Sequence, residues 1–134
     1  MSGDEIPKAH EALRLCKQGK MPGREMIELV VAGKLWVPMT GPPVFEQGRI
    51  TGWTPASASK ADGSQWLIAF TCDEHATSWC HQNPDQATCM TADTRWVLTM
   101  LPKEWGIVFN LRTEDMLEWN AAGRAKYEKD VLGW

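Results

Sequence analysis

Residues 69–83, AFTCDEHATSWCHQN, place two cysteines and two histidines (Cys72, His75, Cys80, His81) close together, with Cys89 a little further on. Three chemistries fit those residue types. Cys72 and His75 lie one helical turn apart and can chelate a zinc ion, with Cys80 or His81 and Cys89 completing the set. The remaining spacings match none of the usual paired knuckles, and the adjacent Cys80 and His81 point to different sides of a helix. A catalytic thiol is the second possibility. Cys72 falls in the first turn of a helix, where the dipole lowers a thiol's pKa, and His75 is placed to act as base. The glycines of a nucleophile elbow are missing, as is a third group to orient the base. The third reading is an ordinary capped helix. Thr71 and Glu74 form a T-x-x-E capping box behind an apolar run. Cys72, Ala76, Trp79 and Cys80 then share one side, and Asn83-Pro84 closes the helix. This reading leaves no residue unexplained, so it is preferred: no catalytic residue, no metal ligand and no cofactor are expected.

The elements that must position this stretch follow from periodicity. "KAHEALRLCKQ" brings Ala9, Ala12, Leu13, Leu15 and Cys16 to one face and stops at Gly19. "GREMIELVVAGK" repeats the pattern with Met26, Ile27, Val30 and Val31 inward and Gly33 at its end. "KLWVPM" reads as a short strand, "TGPPVFEQGR" as a Pro/Gly-dense loop, and "RITGWTP" as another short strand. After the polar turn "ASASKADGS", the run "QWLIAFT" has the continuous apolar character of a strand covered on both faces. "ATCMT" is a further strand, Asp93 a cap for the helix "TRWVLTML", and "WGIVFN" a second buried strand. "TEDMLEWNAAGRAKYEKDV" is expected to form a last helix capped by Thr113, with acidic residues in its first turn. The sum is an α/β (α+β) single compact domain over residues 1–134. It has two N-terminal helices and a central mixed sheet of about four to five strands with flanking helices.

Composition narrows the function classes. The chain has 134 residues, is 43% apolar and carries a formal charge of −3, as ordinary globular domains do. No apolar stretch approaches the roughly 18 residues of a membrane span, and the N-terminal segment lacks the pattern of a signal peptide, so a cytoplasmic location with reduced thiols is expected. Residues 1–67 carry eight Lys/Arg against seven Asp/Glu, and residues 68–134 six against ten. A second half of net −4 argues against nucleic acid, whose phosphates need a basic stripe, and is compatible with a basic protein partner. Eight tryptophans are many for one small core, and tryptophan is enriched at interfaces.

Three segments together carry a resemblance. "GKLWVPM" (33–39), "QWLIAFTCDEHATSW" (65–79) and "LPKEWGIVFNLRT" (101–113) resemble, in order and spacing, the successive core motifs of the SseB N-terminal-like domain, over about residues 24–119. The resemblance implies a small bacterial α/β domain without established catalytic residues, loosely associated with secretion systems. Such domains look like those encoded beside secreted antibacterial toxins, where they would serve as immunity proteins. Within the motifs, Pro38, Phe70, Thr71, Trp79 and Asn110 read as residues that make the fold. Cys72 stands where a serine or other small residue is more usual, and Leu111 follows Asn110 where proline is expected.

The expectation is therefore a non-catalytic binding protein, most concretely an immunity protein that neutralises a cognate toxin by direct contact. Acidic surface would steer a basic partner and aromatic anchors would supply affinity. Trp53, Trp105, Glu114, Asp115, Glu118 and Trp119 are the candidate partner-facing residues, and Trp134 is either a docked tail or an exposed hook. The alternatives are a housekeeping regulatory or scaffold module, and a thiol- or zinc-dependent activity at Cys72, His75, Cys80 and Cys89.

Overall fold

A computed structural model of the chain describes residues 8–41, 44–86 and 88–133; Trp134 and the side chains of 49–52, 131 and 132 lie outside the described residues. The N-terminal helices are α1 (Lys8–Lys17) and α2 (Gly23–Val31), packed on each other and burying the apolar positions that periodicity assigns: Ala9, Ala12 and Leu13 from the first, Met26, Ile27, Val30 and Val31 from the second. Gly19 ends α1 in the left-handed region (φ 75°). Its N–H reaches the Cys16 carbonyl at 3.1 Å and the Lys20 N–H reaches that of Leu15 at 2.8 Å. That paired closure favours glycine, which has no Cβ to strain there.

Strand β1 (Lys34–Met39) pairs antiparallel with β6 (Thr88–Asp93). Between β1 and the main sheet comes a hairpin, β2 (Val44–Glu46) and β3 (Arg49–Gly52), turning on Gln47 (φ 52°) and Gly48 (φ 79°). The stretch expected to be loop therefore contains a strand. Its turn has the mirror-image geometry that matches strand twist, but Gln-Gly is a weaker signal for it than Asn-Gly. The main sheet has the order β4 (Ser57–Ser59), β5 (Gln65–Ala69), β7 (Gly106–Phe109), β8 (Leu117–Trp119), with β5 and β7 parallel and both outer pairs antiparallel. Backbone hydrogen bonds in both directions between Trp36 and Phe70 tie β1 to the end of β5.

The two inner strands show why their sequences are apolar without alternation. Leu67, Ala69, Ile107 and Phe109 face the α1–α2 side, while Trp66, Ile68, Phe70 and Val108 pack with Ala76 and Trp79 on the other. Both faces are covered, so neither set of alternate positions can be polar. Gly106 is dictated by close approach: a Cβ there would sit 2.6 Å from both the Trp119 carbonyl oxygen and the Trp66 ring.

Helix α3 (Asp73–Gln82) follows β5, and α4 (Thr94–Met100) follows β6. The long helix expected from Thr113 onward is a strand and a shorter helix. Leu117 and Trp119 sit opposite Phe109 and Ile107 in β8, and Asn120 starts α5 (Ala121–Tyr127) by accepting the Gly123 N–H at 2.7 Å. Burial of the Trp119 ring, edge-on to Phe109 at 5.1 Å, selects period two over period 3.6 here. From α5, Arg124 is almost wholly buried. Its Nε donates to Glu128 (2.6 Å), one terminal nitrogen to the carbonyls of Pro102 (2.6 Å) and Trp105 (3.0 Å), and the other to those of Leu98 and Leu101 (both 2.9 Å). One guanidinium thus satisfies the carbonyl end of α4 and the turn after it.

Candidate functional site

The parallel pair β5–β7 brings two chain turns side by side at its carboxyl end, the place where open α/β sheets form crevices. Thr71 and Cys72 leave β5, and Asn110 leaves β7. The Asn110 N–H continues the ladder to the Ala69 carbonyl at 2.8 Å, and its side-chain oxygen accepts the Thr71 N–H at 3.0 Å. Asn110 adopts a left-handed backbone (φ 55°), which asparagine tolerates better than most residues, and this turns the chain toward Asp115. The Thr113 hydroxyl closes the loop, donating to the Asn110 carbonyl at 2.7 Å and accepting the Asp115 N–H at 3.1 Å.

Helix α1 lays His10 over this junction. His10 Nδ1 lies 2.6 Å from the Thr71 hydroxyl, which also accepts from Asn110 Nδ2 at 3.0 Å. His10 Nε2 faces Asp115 Oδ2 at 3.3 Å, and His75 Nε2, from the first turn of α3, faces the same oxygen at 2.9 Å. The other carboxylate oxygen accepts from Arg14 Nε at 3.0 Å. The two imidazole rings stand edge to face, 5.3 Å between centroids. His10, Thr71, Cys72, Asn110 and Asp115 are buried, and His75 keeps about a fifth of its side chain in contact with solvent. One nitrogen each from His10 and His75 and the Cys72 sulfur all lie within 4.8 Å of one another.

Burial acts first on each ionisable group. It pushes His10 below the ordinary histidine value, with the Asp115 charge pulling the other way. It would raise Asp115, but hydrogen bonds from Arg14 and His75 and the nearby positive charges outweigh it and hold the carboxyl below its usual range. The Cys72 thiol is pushed up by burial, partly offset by the backbone N–H groups of His75 and Glu74. A raised pKa is the opposite of what a nucleophile needs.

Several sequence expectations change here. Thr71 is not a helix cap: Cys72 holds the cap position of α3, in extended backbone (φ −146°, ψ 155°), and the Thr71 hydroxyl is engaged by His10 and Asn110. The four residues grouped for a thiol or zinc activity separate into two places. Cys72 and His75 join His10, whereas Cys80 interacts with Cys89 across a shallow groove between α3 and β6. Burial lifts the Cys89 thiol to about 12. Of the partner-facing candidates, Glu114 and Glu118 are exposed, and Trp53 and Trp105 are half-buried. Asp115 and Trp119 are corrected: both are buried, Asp115 because His10, His75 and Arg14 close over its carboxylate, and Trp119 because it fills the core beside Phe109 and Tyr127. Glu118 pairs with Lys60 at 2.9 Å, and Trp53 packs edge-on against Trp96 at 5.1 Å. Sequence reasoning missed His10, Arg14 and the polar role of Asn110. The one available signal was a histidine and an arginine (i, i+4) bordering the apolar face of the first helix.

Mixed sheet, helices on both sides and a buried polar junction at the carboxyl ends of two parallel strands define a small α+β domain. The model of the SseB protein N-terminal domain matches residues 10–121, and the chain belongs to that family. No curated protein and no solved structure matches it significantly. No helix among the described residues is long and apolar enough to cross a membrane.

Proposed function

We propose that the chain is a non-catalytic domain that binds a protein, most concretely an immunity protein that occupies and neutralises a toxin domain of basic character. The observation that carries this reading is the β2–β3 hairpin. It extends beyond the Thr40–Thr54 backbone pairing (2.8 Å) and holds Phe45 and Val44 at 60% and 55% exposure. An aromatic side chain held in water forgoes about 1.5–3 kcal/mol of burial that a partner can supply. Trp53, just past β3, is half-buried against Trp96, so an aromatic shoulder stands at the base of the arm. The negative balance of the second half, with Glu114 exposed, supports a basic partner through steering.

The test is co-purification of the full chain with the products of the genes beside its own, followed by titration calorimetry of any pair. A complex weakened at least tenfold by Phe45→Asp, with the fold unchanged by circular dichroism, supports the reading. Absence of a complex with every neighbouring product, or one indifferent to Phe45→Asp and to Trp53→Ala, overturns it.

A further inference from the structure

We infer that His10, Cys72, His75 and Asp115 form a structural site for a thiophilic divalent transition metal, zinc being the representative ion. The geometry comes first. Three donor atoms no more than 4.8 Å apart have a common point within about 2.8 Å of each (4.8/√3), against bond lengths of about 2.0–2.3 Å for zinc to nitrogen and sulfur. Each donor must move inward by about 0.5–0.8 Å to close the set around an ion. Asp115 Oδ2 already lies 2.9 and 3.3 Å from the two Nε2 atoms, close to the spacing of about 3.4 Å between neighbouring ligands of a tetrahedral ion.

The supporting shell is also built. Arg14 engages only Oδ1 of Asp115 and leaves Oδ2 to the two histidines. For His10 Nε2 to bind a cation its proton must sit on Nδ1, and there the Thr71 oxygen waits at 2.6 Å as acceptor. That hydroxyl can then turn its own hydrogen to Asn110 Oδ1, 3.4 Å away. Such fixation of the distal ring nitrogen is how proteins orient metal-binding histidines. Entry of the ion releases the Cys72 thiol proton to solvent, and the thiolate and the Asp115 carboxylate together neutralise the two positive charges. Four protein donors leave no open position, so the site fastens α1 to the start of α3 and to the loop after β7 and does not run a reaction. The partly exposed edge of His75 is the way in.

The full chain, purified without chelators, is expected to carry close to one zinc per molecule by atomic emission. After EDTA treatment and removal of the chelator, titration with Co2+ should saturate at one equivalent with the visible bands of a tetrahedral site and a thiolate-to-metal band in the near ultraviolet. Cys72→Ser should abolish the near-ultraviolet band, and His10→Ala should weaken Co2+ binding at least tenfold. The triple variant Cys16→Ser/Cys80→Ser/Cys89→Ser should keep the band. A folded wild-type chain that shows no saturable binding of either ion overturns the inference without recourse to any variant. So does a thiolate band that survives Cys72→Ser and vanishes in the triple variant.

Discussion

Among the described residues two polar clusters are buried, and they are built on opposite chemistry. At the α4–α5 end, Arg124 spends all five of its N–H donors on four carbonyls and Glu128. Those hydrogens are permanent, because a guanidinium does not deprotonate in proteins. At the carboxyl end of β5 and β7, His10, His75 and Cys72 meet over Asp115. Imidazole and thiol protons can move or be replaced. Equal burial therefore means different things: one cluster is closed to exchange, whereas the other keeps its shape while a proton changes atom or a cation takes its place.

The largest expected effect breaks the closed cluster. Arg124→Met should cost about 3–5 kcal/mol in urea unfolding, because the α4 carbonyls stay buried without a donor and Glu128 keeps only Lys103, at 3.3 Å from its Oε2. Arg124→Lys should recover little of it, since a single ammonium cannot reach acceptors arranged for a planar fork. A loss below about 1 kcal/mol would mean that water or a shifted Lys103 replaces the guanidinium, and the contrast between the clusters would fall.

Asp115→Asn should cost less, about 1–3 kcal/mol in the metal-free chain. Both histidines can change tautomer and accept from the new amide, and Arg14, only half-buried, can turn to solvent. A loss as large as that of Arg124→Met would show that the cluster depends on the carboxylate charge and does not adapt.

Much of this was legible in the sequence, in ways set by range. Helices α1 and α2, the β5 and β7 runs and the α3 stop at Asn83-Pro84 follow from periodicity and turn chemistry, which act over a few residues. Of the hairpin at 44–52 the second strand was legible in "RITGWTP", whereas the first, Val44–Glu46, was hidden by Pro42, Pro43 and Gly41 in the sequence before it. β8 was lost because Glu114, Asp115 and Glu118 mimic the acidic first turn of a helix. The site itself spans residues 10 to 115. No local pattern says that a histidine 61 positions before Thr71 will share its hydroxyl, because that contact exists only once α1 has folded across the ends of β5 and β7. Even so, AFTCDEHATSWCHQN held half the answer: Cys72 and His75 belong to the cluster, while Cys80 and His81 border a different groove.

The cysteines separate the two places chemically. Cys89, lifted to about 12 by burial beside Cys80, holds only about one part in 10⁵ thiolate at pH 7. Its alkylation by iodoacetamide, followed by mass spectrometry of the native protein, should rise about tenfold per pH unit from 7 toward 11. Rapid labelling of Cys89 at neutral pH would mean that the α3–β6 groove opens in solution. Zinc should protect Cys72 and leave the Cys89 rate unchanged. Protection of both would put the metal in the wrong cluster.

The smallest effect on stability is expected where the chain meets solvent. Phe45→Ser removes an aromatic ring that is already 60% exposed and supports no core neighbour, so the unfolding free energy should move by no more than about 0.5 kcal/mol. A loss of 2 kcal/mol or more would show that the ring stabilises the hairpin by packing along its own strand pair, and the arm would then have an internal reason for its phenylalanine. An unchanged stability removes that reason. The exposed ring would then be explained by contact outside the chain, in contrast to both polar clusters, whose residues answer to partners within it.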